Sequence, residues 1–265
     1  MSLLSVRGIE MSYGPIKVLH GIDAEVAEGE VFAIIGPNGA GKTTLFKSMT
    51  GEAFANAGTI TFDGRDVTRD PPHMRTRSGI GRTFQVARVF LPVPTVENVI
   101  IAIEARKRAK GVTDGPWWSI APSSATRDEA MELLSSVGLK AKAAMVASEL
   151  SHGDRKRLEL SMTLAGHPRI LMMDEPTAGM SASDRQQISV LIRRIMERKP
   201  GDSRPPLTVV MTEHDMSVIF GLASRILVMN QGKRIALGTV AEVRDNPQVR
   251  DVYLGKEDQQ SEASA

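Results

Sequence analysis

The sequence has 265 residues, of which 42% are hydrophobic and 24% charged, with no cysteine and a formal net charge of +2. A chain of this length and ordinary composition predicts a folded, water-soluble domain with one large core, or one core with an appended lobe. The absence of cysteine excludes disulfides, thiolate metal sites and cysteine nucleophiles. The balance of 33 basic and 31 acidic residues gives no argument for a nucleic-acid surface.

The sequence contains no candidate membrane span and no signal peptide. No run approaches the roughly 18 to 20 apolar residues that cross a bilayer. The N-terminal stretch MSLLSVRGIEMSYG lacks the charged-then-apolar order of a secretory signal. We therefore expect a cytosolic chain.

The N-terminal part of the chain predicts strands followed by a glycine-rich loop. The β-rich runs VLHGIDAEV and EVFAIIG are separated by turns at 14–15 and 28–30. The loop GPNGAGKTT precedes a predicted helix from Lys42 to Met49, which Gly51 ends, and GTITFDG at 58–64 predicts another strand.

The middle of the chain has a helical pattern, and the C-terminal part alternates between strands and helices. Helical periodicity runs from about 95 to 148, with a break at 111–124 that contains Gly, Pro and two Trp residues. The apolar runs RILMMDE, LTVVMTE and RILVMNQG then alternate with predicted helices at about 151–166, 182–199 and 215–223. Strands this apolar predict a mostly parallel sheet that is covered on both faces.

The loop GPNGAGKTT at 36–44 fits the phosphate-loop template of Gly, any four residues, and Gly-Lys-Thr. Its glycines let backbone N–H groups approach phosphate oxygens, and the helix start adds positive potential. Lys42 is placed to neutralise the β and γ phosphates, and Thr43 to offer its hydroxyl to Mg²⁺. The alternative is a glycine-rich turn that only precedes a helix. The predicted nucleotide contacts are Asn38, Gly39, Ala40, Gly41, Lys42, Thr43 and Thr44.

The run ILMMDE at 170–175 ends an apolar strand in two acids. This arrangement places one carboxylate near Mg²⁺ and the next near the γ-phosphate. Asp174 is therefore the predicted metal ligand, and Glu175 the residue that orients or deprotonates the attacking water. Taken alone, the run could also be a strand that ends on surface acids.

The segment ELSHGDRKRLELSMTLAGHP at 149–168, followed directly by RILMMDEPTAGM, resembles the signature segment and acidic strand of ABC-type ATPases. The resemblance spans nearly the whole chain and implies an α/β fold: a P-loop nucleotide-binding core with a mostly parallel sheet, an N-terminal antiparallel β region and an inserted helical subdomain. In that family, a Leu-Ser-Gly-Gly-Gln segment starts a helix whose N-terminus meets the γ-phosphate bound by the other subunit. The matching nucleotide contacts here are Ser151, His152, Gly153 and Asp154. Ser151 and Asp154 also have capping-box spacing, which would cap any helix.

Three further residues match family positions. Tyr13 matches the aromatic residue that stacks on adenine, although a lone Tyr in a strand could be core. Gln85, in GRTFQVARVF, matches the glutamine that touches Mg²⁺ and water, and is a predicted metal ligand and catalytic residue. His214, in MTEHDM, matches the histidine that contacts the γ-phosphate and helps hold the water of Glu175. Without the resemblance, a single His at a strand end would more often be structural.

Three residues depart from the family pattern. His152 replaces the first glycine of the signature pair, Asp154 replaces its glutamine, and Ser181 stands where the family usually has Asp or Asn. A carboxylate that faces phosphate costs affinity. We therefore expect Asp154 to point back and cap its own helix. The change at Ser181 leaves the communication between the two sites of a dimer open.

The strings GIGRTFQVARVFLPVPTVENV and NPQVRDVYLG resemble importer ATPases, especially those for branched-chain amino acids and their amide and urea relatives. The resemblance implies one ABC ATPase domain over 1–254, with its core at 1–86 and 165–254 and a helical subdomain at about 87–164. The polar tail at 255–265 is expected to be disordered. Trp117 and Trp118 could pin the helical lobe or contact a partner.

The resemblance also implies the cofactors ATP and Mg²⁺ and a set of partners. These are a homologous ATPase subunit bound head to tail, two integral-membrane permease subunits and, indirectly, an external substrate-binding protein, with no nucleic acid. The expected location is peripheral, at the cytoplasmic face of the inner (plasma) membrane. The apolar side chains of 86–99, including Val89, Phe90, Leu91 and Val93, suggest a groove for a permease helix, or else the core of the lobe.

Other functions remain open from the sequence. An ATPase of an exporter would share these motifs. A soluble ABC-type ATPase in DNA repair would be expected to carry a long heptad insertion, and one in translation two tandem nucleotide sites. A small-molecule kinase with a phosphate loop would leave LSHGD and His214 unexplained.

Overall fold

The computed structural model describes residues 2–112, 122–197 and 205–254. Trp117, Trp118 and the tail at 255–265 lie outside the described residues, so the expectations for them stay predictions. The described strands are β1 Ser2–Tyr13, β2 Ile16–Ala27, β3 Val31–Ile35, β4 Ala57–Phe62, β5 Arg65–Asp66, β6 Ile80–Thr83, β7 Ile170–Asp174, β8 Thr208–Thr212, β9 Arg225–Asn230 and β10 Lys233–Thr239. The described helices are α1 Lys42–Thr50, α2 Pro72–Ser78, α3 Thr95–Ala109, α4 Ser124–Ser136, α5 His152–Ala165, α6 Ala182–Met196, α7 Met216–Leu222, α8 Val240–Asp245 and α9 Pro247–Leu254.

The strands form two sheets. One has four antiparallel strands in the order β2-β1-β4-β5. The other has six strands in the order β10-β9-β3-β8-β7-β6, all parallel except β10, which runs antiparallel to β9. The α/β architecture, with an antiparallel β region at the N-terminus and a mostly parallel sheet, is confirmed.

Both faces of the six-stranded sheet are buried, which explains why its central strands are apolar without alternation. Along β3, Val31, Ala33 and Ile35 pack into one hydrophobic core, while Phe32 and Ile34 pack into another. The first core is shared with the helices α3 to α7, and the second with α1 and the antiparallel sheet. The sheet therefore lies between two layers.

Helices α3, α4 and α5 pack against one another in the region expected to form the helical subdomain. Their buried side chains, such as Ile103, Leu134 and Leu158, belong to the same core as one face of the sheet. This continuity means that α5 is held against the sheet as well as against α3. The division at about 87–164 stays a prediction. Within the described ranges, we find no helix with the length and apolarity to span a membrane.

Helix α2 was not predicted from the sequence. It stabilises the C-terminal end of α1. Its Arg75 is only 1% exposed and donates hydrogen bonds to the carbonyl oxygens of Ser48 at 2.6 Å, Met49 at 2.7 Å and Asp70 at 2.9 Å. The last carbonyls of a helix have no partner inside that helix, so the guanidinium satisfies two of them. Burial lowers the pKa of Arg75 to about 10, which leaves it charged at neutral pH.

Candidate active site

The sheet topology brings four loops to one edge. Strands β3, β8, β7 and β6 are parallel neighbours, so their carboxyl ends meet at the same edge, where α/β proteins bind ligands. The phosphate loop follows β3, Glu175 follows β7, and Glu213 and His214 follow β8. Gln85 comes two residues after β6 ends. The predicted site residues from distant parts of the sequence therefore converge.

The phosphate loop leaves the start of α1 open. Gly41 caps α1 with a φ of 95°, and it brings no side chain to the N–H groups of the first turn. A Cβ at Gly41 would lie 2.9 Å from the Cδ2 atom of Leu19, so a glycine fits here for both backbone and packing reasons. The free N–H groups and the helix dipole make this end of α1 attractive to an anion.

Lys42 lies over the phosphate loop. Its ammonium donates to the carbonyl oxygen of Gly36 at 2.7 Å and to that of Pro37 at 3.0 Å. Burial lowers the pKa of Lys42, while the nearby carboxylates of Glu175 and Asp174 act in the opposite direction. A cation between a glycine loop and two acids is well placed for phosphate.

A cavity of about 210 Å³ opens over this loop. Besides the predicted loop residues, it is lined by Glu175, His214 and Val18, the last of which was not predicted. Tyr13 is half-exposed at the end of β1 and does not line the cavity. Its stacking on adenine stays a prediction. The loop residues in the lining are Asn38, Gly39, Ala40, Gly41, Lys42, Thr43 and Thr44.

The structure brings the three predicted catalytic side chains together. The Nε2 atom of His214 lies 2.8 Å from Oε1 of Glu175, and the side-chain amide of Gln85 donates to Oε2 at 3.2 Å. With Glu175 ionised, the first contact is a hydrogen bond only when Nε2 carries the hydrogen. Glu175 also adopts a φ of 47°, a left-handed conformation that is costly for a residue with a side chain. Its backbone N–H donates to the carbonyl oxygen of Thr212 at 3.1 Å, which helps to hold this conformation.

Asp174 is the last residue of β7 and lies opposite Thr212 of β8. The hydroxyl of Thr212 donates to its Oδ1 atom at 2.6 Å, and Nη2 of Arg82 lies 3.9 Å from Oδ2. The two residues fix the carboxylate beside the phosphate loop. The residues predicted to hold Mg²⁺, namely Thr43, Asp174 and Gln85, offer a hydroxyl, a carboxylate and an amide oxygen, and oxygen donors are the ligands that Mg²⁺ prefers.

The signature residues lie at the start of α5 and do not line the cavity. Ser151 caps the helix, because its Oγ atom accepts from the backbone N–H of Asp154 at 3.1 Å. The carboxylate of Asp154 turns back as expected, but it accepts from the Ser151 hydroxyl at 2.8 Å and from the Lys142 ammonium at 2.5 Å. His152 is exposed and Gly153 half-buried, so the start of α5 faces outward.

Ser181 repeats the local geometry of Ser151. It caps α6 by accepting from the backbone N–H of Asp184 at 3.2 Å, and its hydroxyl donates to the Asp184 carboxylate at 2.7 Å. Its replacement of the usual Asp or Asn therefore keeps a helix cap.

A buried network that was not predicted holds the loop after Glu175. The carboxylate of Glu213 accepts from the backbone N–H of Thr177 at 3.0 Å and from its hydroxyl. Lys156, on the inner face of α5, donates to the carbonyl oxygens of Pro176 at 3.2 Å and Ala178 at 3.1 Å. Burial lowers the pKa of Lys156, against the effect of nearby carboxylates. No sequence pattern marks these single residues, although Glu213 directly precedes His214.

A phosphate loop before α1, and a glutamate in the lining of the adjoining cavity that contacts His214 and Gln85, are typical of a P-loop nucleotide-hydrolysing protein. Two family models agree with this class. A model described as ABC transporter matches residues 19–178, and one described as branched-chain amino acid ATP-binding cassette transporter matches 233–259. The chain belongs to the ABC transporter family and is one of its ATPases. The expected family and enzyme class are confirmed.

Individual relatives cover nearly the whole chain. The high-affinity branched-chain amino acid transport ATP-binding protein LivG of Salmonella typhimurium is 36% identical over 96% of this chain and 98% of its own length. The lipopolysaccharide export system ATP-binding protein LptB of Acidithiobacillus ferridurans is 34% identical over 96% of this chain and 97% of its own. A crystal structure of an ATP-binding cassette of an ABC transporter in its ADP conformation superposes with a TM-score of 0.79 at 28% identity, covering 96% of this chain and 99% of that one.

Proposed function

We propose that this chain hydrolyses ATP to power a membrane importer for branched-chain amino acids or related amino acids and amides. Identity alone does not separate import from export, since the import relative and the export relative differ by only two percentage points, 36% against 34%. The match of the branched-chain amino acid cassette model to residues 233–259 carries the proposal. That segment lies outside the nucleotide site, so it reports on the kind of transporter rather than on ATP chemistry.

ATP binding follows from the geometry of the phosphate loop. The open first turn of α1 receives phosphate oxygens, and Lys42 exchanges its carbonyl partners for the β and γ phosphates. Thr43, Asp174 and Gln85 would hold Mg²⁺. When bound, the ion neutralises charge on the β and γ phosphates. Tyr13, at the end of β1, would stack on the adenine.

Hydrolysis depends on Glu175. Its carboxylate accepts a proton from the attacking water, and its two oxygens are already fixed by His214 and Gln85. A carboxylate that is held in place spends little free energy on reorientation during the reaction. Gln85 also precedes the segment 86–99, so a movement of that segment would change the position of Glu175's partner.

A second cassette would complete the site. The start of α5 is capped, faces outward and lies away from the cavity over the phosphate loop, which suits contact with the γ-phosphate held by another subunit. Two subunits arranged head to tail would enclose two ATP molecules. ATP then favours the closed pair because it binds that state better, and hydrolysis removes the preference.

The segment 86–99 supports contact with a permease. Val86, Phe90 and Leu91 are exposed, whereas Val89 packs against the core, so only part of this apolar run belongs to the lobe. The backbone of Phe90 is fixed by Asn98, which accepts from its N–H at 2.7 Å and donates to its carbonyl oxygen at 3.1 Å. Beside it, a cleft of about 610 Å³ runs between α2 and the helices α3 and α5. A cytoplasmic helix of one of the two integral-membrane permease subunits would dock here, at the cytoplasmic face of the inner membrane.

Purification from the native cell tests this function. The tagged chain is isolated from gently solubilised membranes, and its partners are identified by mass spectrometry. We expect two polytopic membrane proteins and a second ATPase of this family, after which uptake of branched-chain amino acids is measured with and without the chain. Recovery of ribosomal or DNA-associated proteins alone would refute the transport function.

A variant in the docking segment separates transport from ATP hydrolysis. Phe90→Glu places a charge on the exposed apolar surface, so uptake should fall at least tenfold while the ATPase rate of the purified chain stays within about twofold. Val190→Glu, at another exposed position, is the matched control. Equal loss of uptake and ATPase activity in Phe90→Glu would argue that Phe90 is structural.

A further inference from the structure

The start of α5 carries a charge that conflicts with phosphate binding. Asp154 lies in the first turn, where a carboxylate stabilises the helix dipole. The same negative charge repels the γ-phosphate that this helix start is proposed to receive. A chain with Asp at this position therefore requires something that neutralises the carboxylate or turns it away.

Lys142 is placed both to neutralise the Asp154 carboxylate and to turn it away from the phosphate. It lies in a short 3₁₀ turn, Lys140–Lys142, between α4 and α5, and its ammonium is 2.5 Å from the Oδ2 atom of Asp154. The Asp154 side chain is only 11% exposed, against 44% for Lys142, so the carboxylate is enclosed and the cation covers it. Ser151 donates to the same oxygen at 2.8 Å, and Nη1 of Arg157 lies 3.9 Å from the other oxygen.

The protonation state of the pair agrees with this geometry. Burial alone would raise the pKa of Asp154, but the hydrogen bonds from Lys142 and Ser151 and the charges of Lys142 and Arg157 outweigh it and lower the pKa. The carboxylate is therefore ionised at neutral pH. Arg157 is farther away than Lys142 and bonds through its Nη2 atom to Gln187. Lys142 is the main counter-charge.

We infer that Lys142 is a positioning residue for ATP at the dimer interface: it neutralises the Asp154 carboxylate and holds it back, so that the start of α5 attracts the γ-phosphate bound by the facing cassette. The inference rests on the proposed head-to-tail arrangement. It assigns a role to a residue outside the signature segment. The first-turn N–H groups that Ser151 does not cap then face the phosphate without an opposing negative charge.

ATP-dependent dimerisation of a Glu175→Gln background measures this role without turnover. Purified variants are titrated with Mg·ATP, and the dimer fraction is followed by light scattering. Lys142→Met keeps the length of the side chain but leaves Asp154 without its main counter-charge, so half-maximal dimerisation should need at least tenfold more ATP. Adding Asp154→Asn removes the unpaired charge, so the ATP concentration for half-maximal dimerisation should return to within threefold of that of the parent. Lys140→Met, at an exposed lysine of the same turn, is the matched control.

The outcomes separate the inference from the proposed function. Binding of a fluorescent ATP analogue to the monomer reports the phosphate loop and should be equal in all variants. A Lys142→Met titration that matches the parent would overturn the inference, and so would a defect that Asp154→Asn does not rescue, because it would show a structural role. If the Glu175→Gln parent binds ATP and stays monomeric, the head-to-tail arrangement fails and the inference fails with it.

Discussion

Two helix starts in this chain are proposed to meet phosphate, and they differ in what caps and surrounds them. At α1, Gly41 caps the helix with backbone alone, the first-turn N–H groups are left open, and a cavity of about 210 Å³ lies above them. At α5, Ser151 caps the helix with its side chain, and Asp154 and Lys142 form an ion pair beside it. The signature residues lie outside the lining of the cavity. The first helix start belongs to a pocket, and the second to an outward-facing surface.

Helix α5 is nevertheless joined, inside the chain, to the loop that follows Glu175. Lys156 extends from the inner face of α5 to the carbonyl oxygens of Pro176 and Ala178, directly after Glu175. The first turn of α5 therefore exposes Ser151 and His152 on the side proposed to meet a second cassette, while its inner side holds the loop after Glu175 in the same chain. A change at α5 can thus affect two sites, and variants on the two sides of the helix separate these effects.

The largest effect is expected for Glu175→Gln, in the cavity over the start of α1. This change removes the proton acceptor while keeping the size of the side chain, so the ATPase rate should fall by about 10²- to 10⁴-fold with ATP binding retained. Steady-state ATPase assays and nucleotide binding measure the two effects. Glu132→Gln, at an exposed position on α4, is the control. Near-normal turnover would remove Glu175 from its catalytic role.

The second prediction concerns the cation of the α1 site. Lys42→Met removes a charged donor that lies over the phosphate loop, so ATP affinity should fall by about 10- to 100-fold, the equivalent of about 1.5 to 3 kcal/mol for hydrogen bonds to charged groups. Equilibrium binding of ATP measures the change. Lys47→Met, near the other end of α1, should retain affinity. Equal affinity in Lys42→Met and the wild type would place the phosphates elsewhere.

The third prediction tests the link between α5 and the catalytic loop. Lys156→Met leaves the carbonyl oxygens of Pro176 and Ala178 without their donor, so the free energy of unfolding should fall by about 1 to 3 kcal/mol and the ATPase rate with it. Lys156→Gln keeps an N–H donor and should restore most of the unfolding free energy and of the ATPase rate. Urea denaturation and ATPase assays of the two variants measure these quantities. If Met and Gln behave alike, the hydrogen bonds to the loop do not matter.

The fourth prediction is a pH dependence at α5. Because the pKa of Asp154 is lowered in the folded chain, its ion pair stabilises the fold above the unfolded-state value of about 3.9 and is lost as pH falls through the lower folded-state value. The wild type should thus progressively lose its advantage over Asp154→Asn in unfolding free energy as the pH falls from about 5 through the unfolded-state pKa toward the lower folded-state pKa. A constant difference across this range would contradict the lowered pKa.

The smallest effect is expected for Asp154→Gln. Because the carboxylate is turned back onto Ser151 and neutralised by Lys142, its removal should change the ATPase rate by less than about threefold, or 0.7 kcal/mol. A loss of tenfold or more would mean that the carboxylate itself takes part in the site. The measurement is kcat at saturating ATP.

The sequence predicted the α1 side of the site better than the connections around it. The phosphate loop has fixed spacing, so local sequence is enough to identify it. Glu175 lies at a predicted strand end downstream of that loop, and His214 was assigned through the family resemblance. Strand β6 has only four residues and helix α2 only seven, too short for their periodicity to stand out. The contact of Thr212 with Asp174 depends on the register of β7 against β8, which no local pattern reports.

The contacts around the start of α5 could also be predicted from the sequence only in part. The capping role of Ser151 follows from local sequence, because its partner is three residues away. The partner of Asp154, Lys142, is twelve residues away in another element, and Lys156 reaches a loop twenty residues away. These contacts follow from the packing of α5 against the rest of the fold, so only the three-dimensional structure reveals them.

The molecular mass of the Glu175→Gln variant, measured by light scattering with and without Mg·ATP, tests most directly whether two chains complete one site. We predict a monomer without nucleotide and in ADP, and twice that mass in ATP. A variant that binds ATP fully and remains a monomer at every concentration would contradict the head-to-tail arrangement, and the start of α5 would then need a different partner.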